Sequence, residues 1–317
     1  MRGVRLSVVV PVFNEEEVLP ETYRRLTEVM EGLALPYEIV FVDDGSKDQS
    51  PRLLDELARR DPRVRVIHFS RNFGHQAAIT AGLDYARGEA VVVIDADLQD
   101  PPEVIPEMVA KWQEGYEVVY GQRVRREGET LFKRLTASFF YRLLRFMTDI
   151  DIPLDTGDFR LMDRKVVEVM KLLREKNRFI RGLVAWVGFR QIALPYVRHR
   201  RLAGTTKYPL RKMLRLAWDG ITAFSNKPLK VAAYLGLALS LFSFLYLVAI
   251  VVAKLLGKST VPGWASLAVM NLFFSGIILI ILGIMGEYLG RMYEEAKNRP
   301  LYIVDRIVEG KPDAESS

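Results

Sequence analysis

The chain has 317 residues, half of them hydrophobic, and a formal net charge of +6. That length suits one large domain with an appendage. It contains no cysteine, so disulfides, thiolate nucleophiles and Cys-ligated zinc are excluded. Its three histidines, His68, His75 and His199, lie too far apart in sequence to suggest a histidine-rich metal site. No nucleic-acid partner is expected.

Leu6 to Val12 is the first apolar run and reads as a strand. It is too short for a secretory signal and is followed at once by Glu15-Glu16-Glu17, so the N-terminal region is expected in the cytoplasm. Glu16 to Leu33 has helical spacing through Val18, Leu19, Leu26, Val29 and Met30. Glu38 to Val42 is a second strand, ending at Asp43-Asp44-Gly45-Ser46, and Ser50 to Arg60 is helical. Val64 to Phe69 is a third strand, Gln76 to Ala86 a helix, Ala90 to Ile94 a fourth strand and Pro102 to Glu114 a helix. Glu117 to Tyr120 is a fifth strand. Such alternation predicts an α/β fold with a mostly parallel, Rossmann-like sheet covered by helices on both faces.

Two later segments pair apolar stripes with basic residues. Leu131 to Met147 sets Phe132, Leu135, Phe139, Leu143 and Phe146 against Lys133, Arg134, Arg142 and Arg145. Pro209 to Phe224 sets Leu210, Met213, Leu214, Ala217, Ile221 and Phe224 against Arg211, Lys212 and Arg215. Amphipathic basic helices of this kind lie in anionic headgroup regions, although a surface helix packed on a domain core has the same pattern. Val231 to Ala253 then carries no charge, and neither does Ser259 to Gly286. Each exceeds the roughly 20 residues that cross a bilayer core. The expected division is a cytoplasmic catalytic domain over 1–208, a juxtamembrane amphipathic helix over 209–228, a transmembrane hairpin over 229–289 with spans at about 231–253 and 265–286, and a cytoplasmic tail over 290–317. Lysines and arginines flanking the hairpin put domain and tail on the cytoplasmic side, by the positive-inside rule. The tail either runs along the membrane or pairs with a neighbouring subunit in a homo-oligomer.

The densest chemistry follows the fourth strand, where Val91 to Asp100 reads V-V-V-I-D-A-D-L-Q-D. Open α/β sheets bind ligands beyond the carboxyl ends of their strands. Asp95 and Asp97 are two apart, so in extended chain they leave on one side. Two hard oxygen ligands there suit Mg²⁺ or Mn²⁺ held against a diphosphate, the alternative being a solvated turn. A glycine-rich dinucleotide motif is missing, because the first strand runs into Pro11-Val12-Phe13-Asn14-Glu15. Gly257-Lys258-Ser259 imitates a phosphate loop, but Val252 stands where that loop needs glycine. What remains is a nucleotide site built from carboxylates, with Asp43-Asp44 and Asp95/Asp97 opening on one edge of the sheet.

The motifs P-V-F-N-E-E-E, V-D-D-G-S-K-D, S-R-N-F-G-H and D-A-D-L-Q-D-P-P-E resemble those of family 2 glycosyltransferases of the GT-A fold. T-G-D-F-R-L-M-D-R from Thr156, R-x-x-G-x-T-K-Y from Arg201 and the apolar hairpin extend the likeness to the polyprenyl-phosphate branch, of dolichol-phosphate-mannose-synthase and bactoprenol glucosyltransferase type. The resemblance implies transfer from a nucleoside-diphosphate sugar, with uridine expected over guanosine, to a polyprenyl phosphate at the bilayer, inverting the anomeric carbon. By resemblance, Pro11, Phe13, Glu15 and Asp43 line the nucleobase and ribose pocket. Asp44 either joins them or caps the turn at Gly45-Ser46. Asp95 touches sugar or ribose, and Asp97 and Gln99 ligate the cation together with Asp95. Arg71, Asn72 and Gly74 form either a loop beside the donor or a structural turn.

Arg160, Arg201 and Lys207 are the candidates for clamping the acceptor phosphate, since guanidinium forks match phosphate oxygens. Arg123 and Arg181 are weaker choices. Asp158 is expected near the reacting centre, accepting a proton or holding a sugar hydroxyl, and Asp155 competes with it. A processive polysaccharide synthase would carry Q-x-x-R-W and more spans, neither of which is found. A nucleotide-sensing transport protein would need a substrate path, and the two spans carry no ionisable residue in their middles. A catalytically dead scaffold is disfavoured by the intact carboxylate pair with Arg201 and Lys207.

Overall fold

A computed structural model describes residues 4–124, 156–197, 225, 227–256 and 263–310. The chain forms two compact units, one holding the sheet and the other the two long apolar helices.

In the first unit, β1 (Leu6–Val12) is buried at every position, as its unbroken apolar run demands. It pairs in parallel with β2 (Tyr37–Asp43) on one side and β4 (Ala90–Val93) on the other, and β2 pairs in parallel with β3 (Val64–Phe69). The connecting helices are α1 (Leu19–Gly32), α2 (Ser50–Arg60) and α3 (His75–Tyr85), with a short 3₁₀ turn (Pro102–Val104) and α4 (Ile105–Gln113) after β4. Prolines stand in the first turns of α1, α2 and α4, where a missing N–H costs nothing. Helix α3 is pressed onto the sheet at Gly82, where a Cβ would lie 2.0 Å from Val9 Cγ1.

The full order is β7-β5-β6-β4-β1-β2-β3-β8. β5 (Val118–Arg123) and β7 (Gln191–Tyr196) run parallel to each other, while β6 (Thr156–Asp163) lies antiparallel between β4 and β5. Short helices α5 (Arg164–Leu172), N-capped by Asp163, and α6 (Ile180–Trp186) separate β6 from β7. The expected parallel core is therefore present, and an antiparallel strand is inserted at each flank.

β8 (Val304–Glu309) is the second such strand and pairs antiparallel with β3. Part of the expected tail thus adds to the sheet and covers the edge that β3 would otherwise expose. Tyr302 stacks on Phe69 with ring centroids 5.0 Å apart and donates to Asp84 at 2.7 Å. Glu309 pairs with Arg65 at 2.7 Å at the far end.

In the second unit, α7 (Lys227–Leu255) and α8 (Trp264–Ala296) have 29 and 33 residues. Both contain stretches long and apolar enough to cross a membrane, and large side chains such as Leu237, Phe244, Leu279 and Ile280 are exposed. Helix α8 runs ten residues beyond the expected end of the second span at Gly286, and on this extension Glu287 and Arg291, four apart, pair at 2.9 Å. The amphipathic segments 131–147 and 209–224, and with them Asp155, Arg201 and Lys207, lie outside the described residues.

Candidate active site

Strands β1 to β4 end on one edge, and the loops that follow are tied to one another. The Asn14 side chain accepts from Lys47 N at 2.8 Å, while Asn14 N donates to Ser46 Oγ at 3.0 Å. Glu15 N donates to Ser50 Oγ at 3.0 Å. Gly45 has φ +69°, and a Cβ there would meet Arg71 C at 2.5 Å, so only glycine lets the β2 and β3 loops approach this closely. Asp43 accepts from Ser46 N at 3.0 Å and so caps the turn expected of Asp44. Asp44 reaches further, taking Phe73 N at 2.7 Å and Gly74 N at 3.0 Å, and thereby shapes the entry to α3. Burial pushes the Asp44 carboxyl up despite those two donors. For Asp43, burial works the same way, but hydrogen bonds with His68 and Ser46 prevail and hold it below its ordinary value.

Between these loops lies a cavity of about 560 Å³ whose wall includes Phe13, Asp43, Lys47, His68, Arg71 and Arg306. That is the size range of small-molecule sites. Phe13 offers it an exposed ring, 45% accessible. Pro11 is buried inside β1 opposite Val42, and Glu15 is half-buried at the start of the loop, so neither forms the cavity wall. Arg71 and Asn72 line it, while Gly74 caps α3 with φ +104°. The loop is both a turn and a wall.

A second cluster gathers beyond β4. β6 runs antiparallel to β4 with Arg160 opposite Val93, so Asp158, two residues earlier, projects past the end of β4 beside Asp95. Asp158 is 4% exposed and receives Arg181 bidentately, Nε at 2.9 Å and Nη2 at 3.1 Å. His75 Nε2 lies 3.3 Å from Asp158 and 3.5 Å from Asp95. Gln76 Nε2 donates to Asp158 at 3.4 Å. Burial opposes ionisation of Asp158, yet Arg181 and His75 hold its carboxyl well below the usual range. Such a carboxylate is a poor proton acceptor.

Burial lifts Asp95 up to about 6; His75 opposes this, and the nearby charges of Asp158, Asp100 and Asp97 add to it. The Oδ1 of Asp95 is buried and has no hydrogen-bond partner among the described residues. Asp97 is nearly buried, and its Oδ1 accepts from Gln99 N at 3.1 Å. Gln99 thus enters the cluster through its backbone. Among the described residues no three side chains converge as a ready-made cation cage. Mg²⁺ needs none, since it binds through one or two carboxylates with phosphate oxygens and water. A buried carboxylate oxygen with no hydrogen bond of its own, beside Asp97, Asp100 and Asp158 and 3.5 Å from His75 Nε2, fits such an ion.

Arg160, expected as an open clamp, is 4% exposed and donates to Gly157 O at 3.0 Å. Burial lowers it to about 10, with the charge of Asp158 acting in its favour. A cation buried beneath the cluster balances the field of Asp158 rather than meeting a ligand from solvent. Arg123 lies 3.6 Å from Asp100 and donates to Tyr196 Oη at 3.2 Å; Tyr196 in turn donates to Asp100. Sequence reasoning missed His75, His68, Tyr196 and Arg306. Only the S-R-N-F-G-H motif carried a signal for the first, and nothing local marked the others.

The α/β sheet, with a cavity and a carboxylate cluster on one strand-end edge, agrees with the GT-A architecture expected from the sequence. The chain belongs to glycosyl transferase family 2, whose pattern matches residues 7–170, and it is a glycosyltransferase. It is 63% identical over 305 residues to an uncharacterized glycosyltransferase of Bacillus subtilis, covering 96% of this chain and 94% of that protein. It is 45% identical over 309 residues to the SfII prophage-derived bactoprenol glucosyl transferase of Shigella flexneri, covering 98% of this chain and 100% of that protein. Among solved structures, a mannosyltransferase of Pyrobaculum calidifontis in complex with GDP-Man and Mn²⁺ aligns at 20% identity over 90% of this chain and 87% of that chain, with TM-score 0.49.

Proposed function

We propose that the protein moves a sugar from a nucleoside diphosphate, UDP by preference, to a polyprenyl phosphate at the cytoplasmic face of a membrane, with inversion at the anomeric carbon. The observation that carries this reading is the Asp95/Asp97 pair, set beyond β4 on the same sheet edge as the cavity between the β1, β2 and β3 loops. The full-length likeness to a bactoprenol glucosyl transferase supports the acceptor, and the two apolar helices support the membrane.

The nucleotide lies with its base toward Phe13 and Asp43 and its diphosphate toward Asp97. Mg²⁺ or Mn²⁺ held by Asp97 and Asp95 would neutralise the departing diphosphate as a Lewis acid. Asp158, oriented by Arg181 and His75, holds a sugar hydroxyl and fixes the donor for attack from the opposite face. The acceptor needs no strong base, because a phosphate monoester with a second pKa of about 6 is already largely dianionic at neutral pH. It needs cations, which Arg201 and Lys207 supply. A polyprenyl chain stays in the bilayer, so transfer to it takes place at the headgroup plane, where the two apolar helices would keep the protein.

Purified protein is to be incubated with undecaprenyl phosphate, Mg²⁺ or Mn²⁺, and a panel of UDP- and GDP-sugars. Release of one nucleoside diphosphate together with formation of a glycosylated lipid phosphate is expected. Donor hydrolysis without lipid product, or no turnover of any donor, would refute the reading.

A further inference from the structure

The strand that follows the hairpin carries a guanidinium to the cavity wall. In the β3–β8 register Arg306 stands directly opposite His68, so the two side chains share one face of the sheet. Asp55 on α2 bridges them, its Oδ1 2.8 Å from His68 Nε2 and its Oδ2 3.2 Å from Arg306 Nη2. The other ring nitrogen of His68 lies 2.8 Å from Asp43 Oδ2. A continuous chain of polar contacts therefore runs from Asp43 through His68 and Asp55 to Arg306. All but Asp55 line the cavity.

We propose that Arg306 is a donor-binding residue whose guanidinium grips the nucleobase end of the nucleoside diphosphate. The inference rests on the function proposed above and adds a residue from outside the region that the family pattern covers. Three observations converge on it. First, the order β4-β1-β2-β3-β8 sets the diphosphate cluster at β4 and Arg306 at the opposite end, so a nucleotide laid along the strand ends points its base toward β3 and β8. Second, the Arg306 side chain is 48% exposed, and among the described residues its bonds to Asp55 and, at 3.3 Å, to Asp305 leave further N–H groups of its fork for a ligand. Third, the strand is fastened at both ends, by Tyr302 on Phe69 and Asp84 and by Glu309 on Arg65, which holds the guanidinium at the wall.

A guanidinium only donates hydrogen bonds, so it reads acceptor atoms. It thus favours a base that presents carbonyl oxygens, such as uracil, thymine or guanine. A surface pair with Asp55 alone would contribute little; fastening a strand at both ends to place that pair on a cavity wall points to a ligand.

The test uses the full chain in detergent with Mg²⁺, titrated calorimetrically with UDP, GDP and dTDP. Arg306→Gln is expected to weaken the tightest of the three by about tenfold, the size of one charge-assisted hydrogen bond. It should also leave the ligand-free Tm within about 2 °C. Unchanged affinity overturns the proposal, as does a loss matched by a fall in ligand-free Tm of more than about 5 °C, which marks a structural role. Should Arg306→Gln not fold, Arg306→Lys, which keeps the charge beside Asp55, is judged by the same criteria. If the wild type binds none of the three, the proposed function itself fails and the inference falls with it.

Discussion

Replacing Arg181 with glutamine isolates the ion pair at the heart of the carboxylate cluster. The change removes both guanidinium bonds to Asp158, at 2.9 and 3.1 Å, and leaves His75 at 3.3 Å, Gln76 at 3.4 Å and the charge of buried Arg160. Removing one partner of a buried pair costs about 3–5 kcal/mol, because the other charge stays buried. Arg181 is 30% exposed, so water already screens the pair, and we take about 2–3 kcal/mol. For a unit of this size that corresponds to a fall in Tm of about 5–10 °C.

The pH dependence gives a second reading. In the wild type Asp158 is held well below its ordinary value, so its contribution is constant above about pH 4 and is lost only as pH falls through that lowered value. In the variant burial raises the carboxyl, which takes up a proton as pH falls and relieves the penalty. The stability gap between the two therefore narrows as pH drops from about 7.5 toward 5. Thermal unfolding of the detergent-solubilised protein across that range measures it. Asp158→Asn combined with Arg181→Gln should recover part of the loss, since a neutral amide is cheaper to bury than an unpaired charge. A single variant as stable as wild type, or a double variant no better than the single, would refute the buried-pair argument.

Asp97→Asn keeps an oxygen for the Gln99 amide but removes the charge proposed to hold a cation, so turnover should fall by at least about a hundredfold with Tm unchanged. Turnover and unfolding curves check this, and retained activity would remove Asp97 from the metal site. Gly82→Ala forces a Cβ to 2.0 Å from Val9 Cγ1 and must lift α3 from β1, at a cost of about 1–3 kcal/mol. A Tm equal to wild type would show that the helix yields freely. Neutralising Arg211, Lys212 and Arg215 together removes about 1 kcal/mol of anionic-surface attraction per residue. Turnover on acceptor embedded in anionic bilayers should drop while turnover in detergent is kept, and equal loss in both would refute a docking role.

Much of this molecule was legible from local pattern. The strands β1 to β4 and the helices between them follow from unbroken apolar runs alternating with helical spacing, and Ser50–Arg60 and Val64–Phe69 fall where the periodicity sets them. The Asp95/Asp97 pair was visible because two carboxylates ending an apolar run need no distant partner to be noticed. The two long apolar helices follow from composition alone. What the sequence left open depends on which distant segments meet. Asp158 acquires its acidity from Arg181, 23 residues on, and from His75, 83 residues back. Asp43 and Asp44 are neighbours with interchangeable chemistry, and only the approach of the β3 loop decides that one caps its own turn while the other organises α3. Arg306 reads as one charge in a polar tail until antiparallel pairing sets it opposite His68. Periodicity records how a segment meets solvent and core, whereas partners far along the chain are chosen by packing of the whole sheet; the first is written residue by residue, and the second exists only once the strands have assembled.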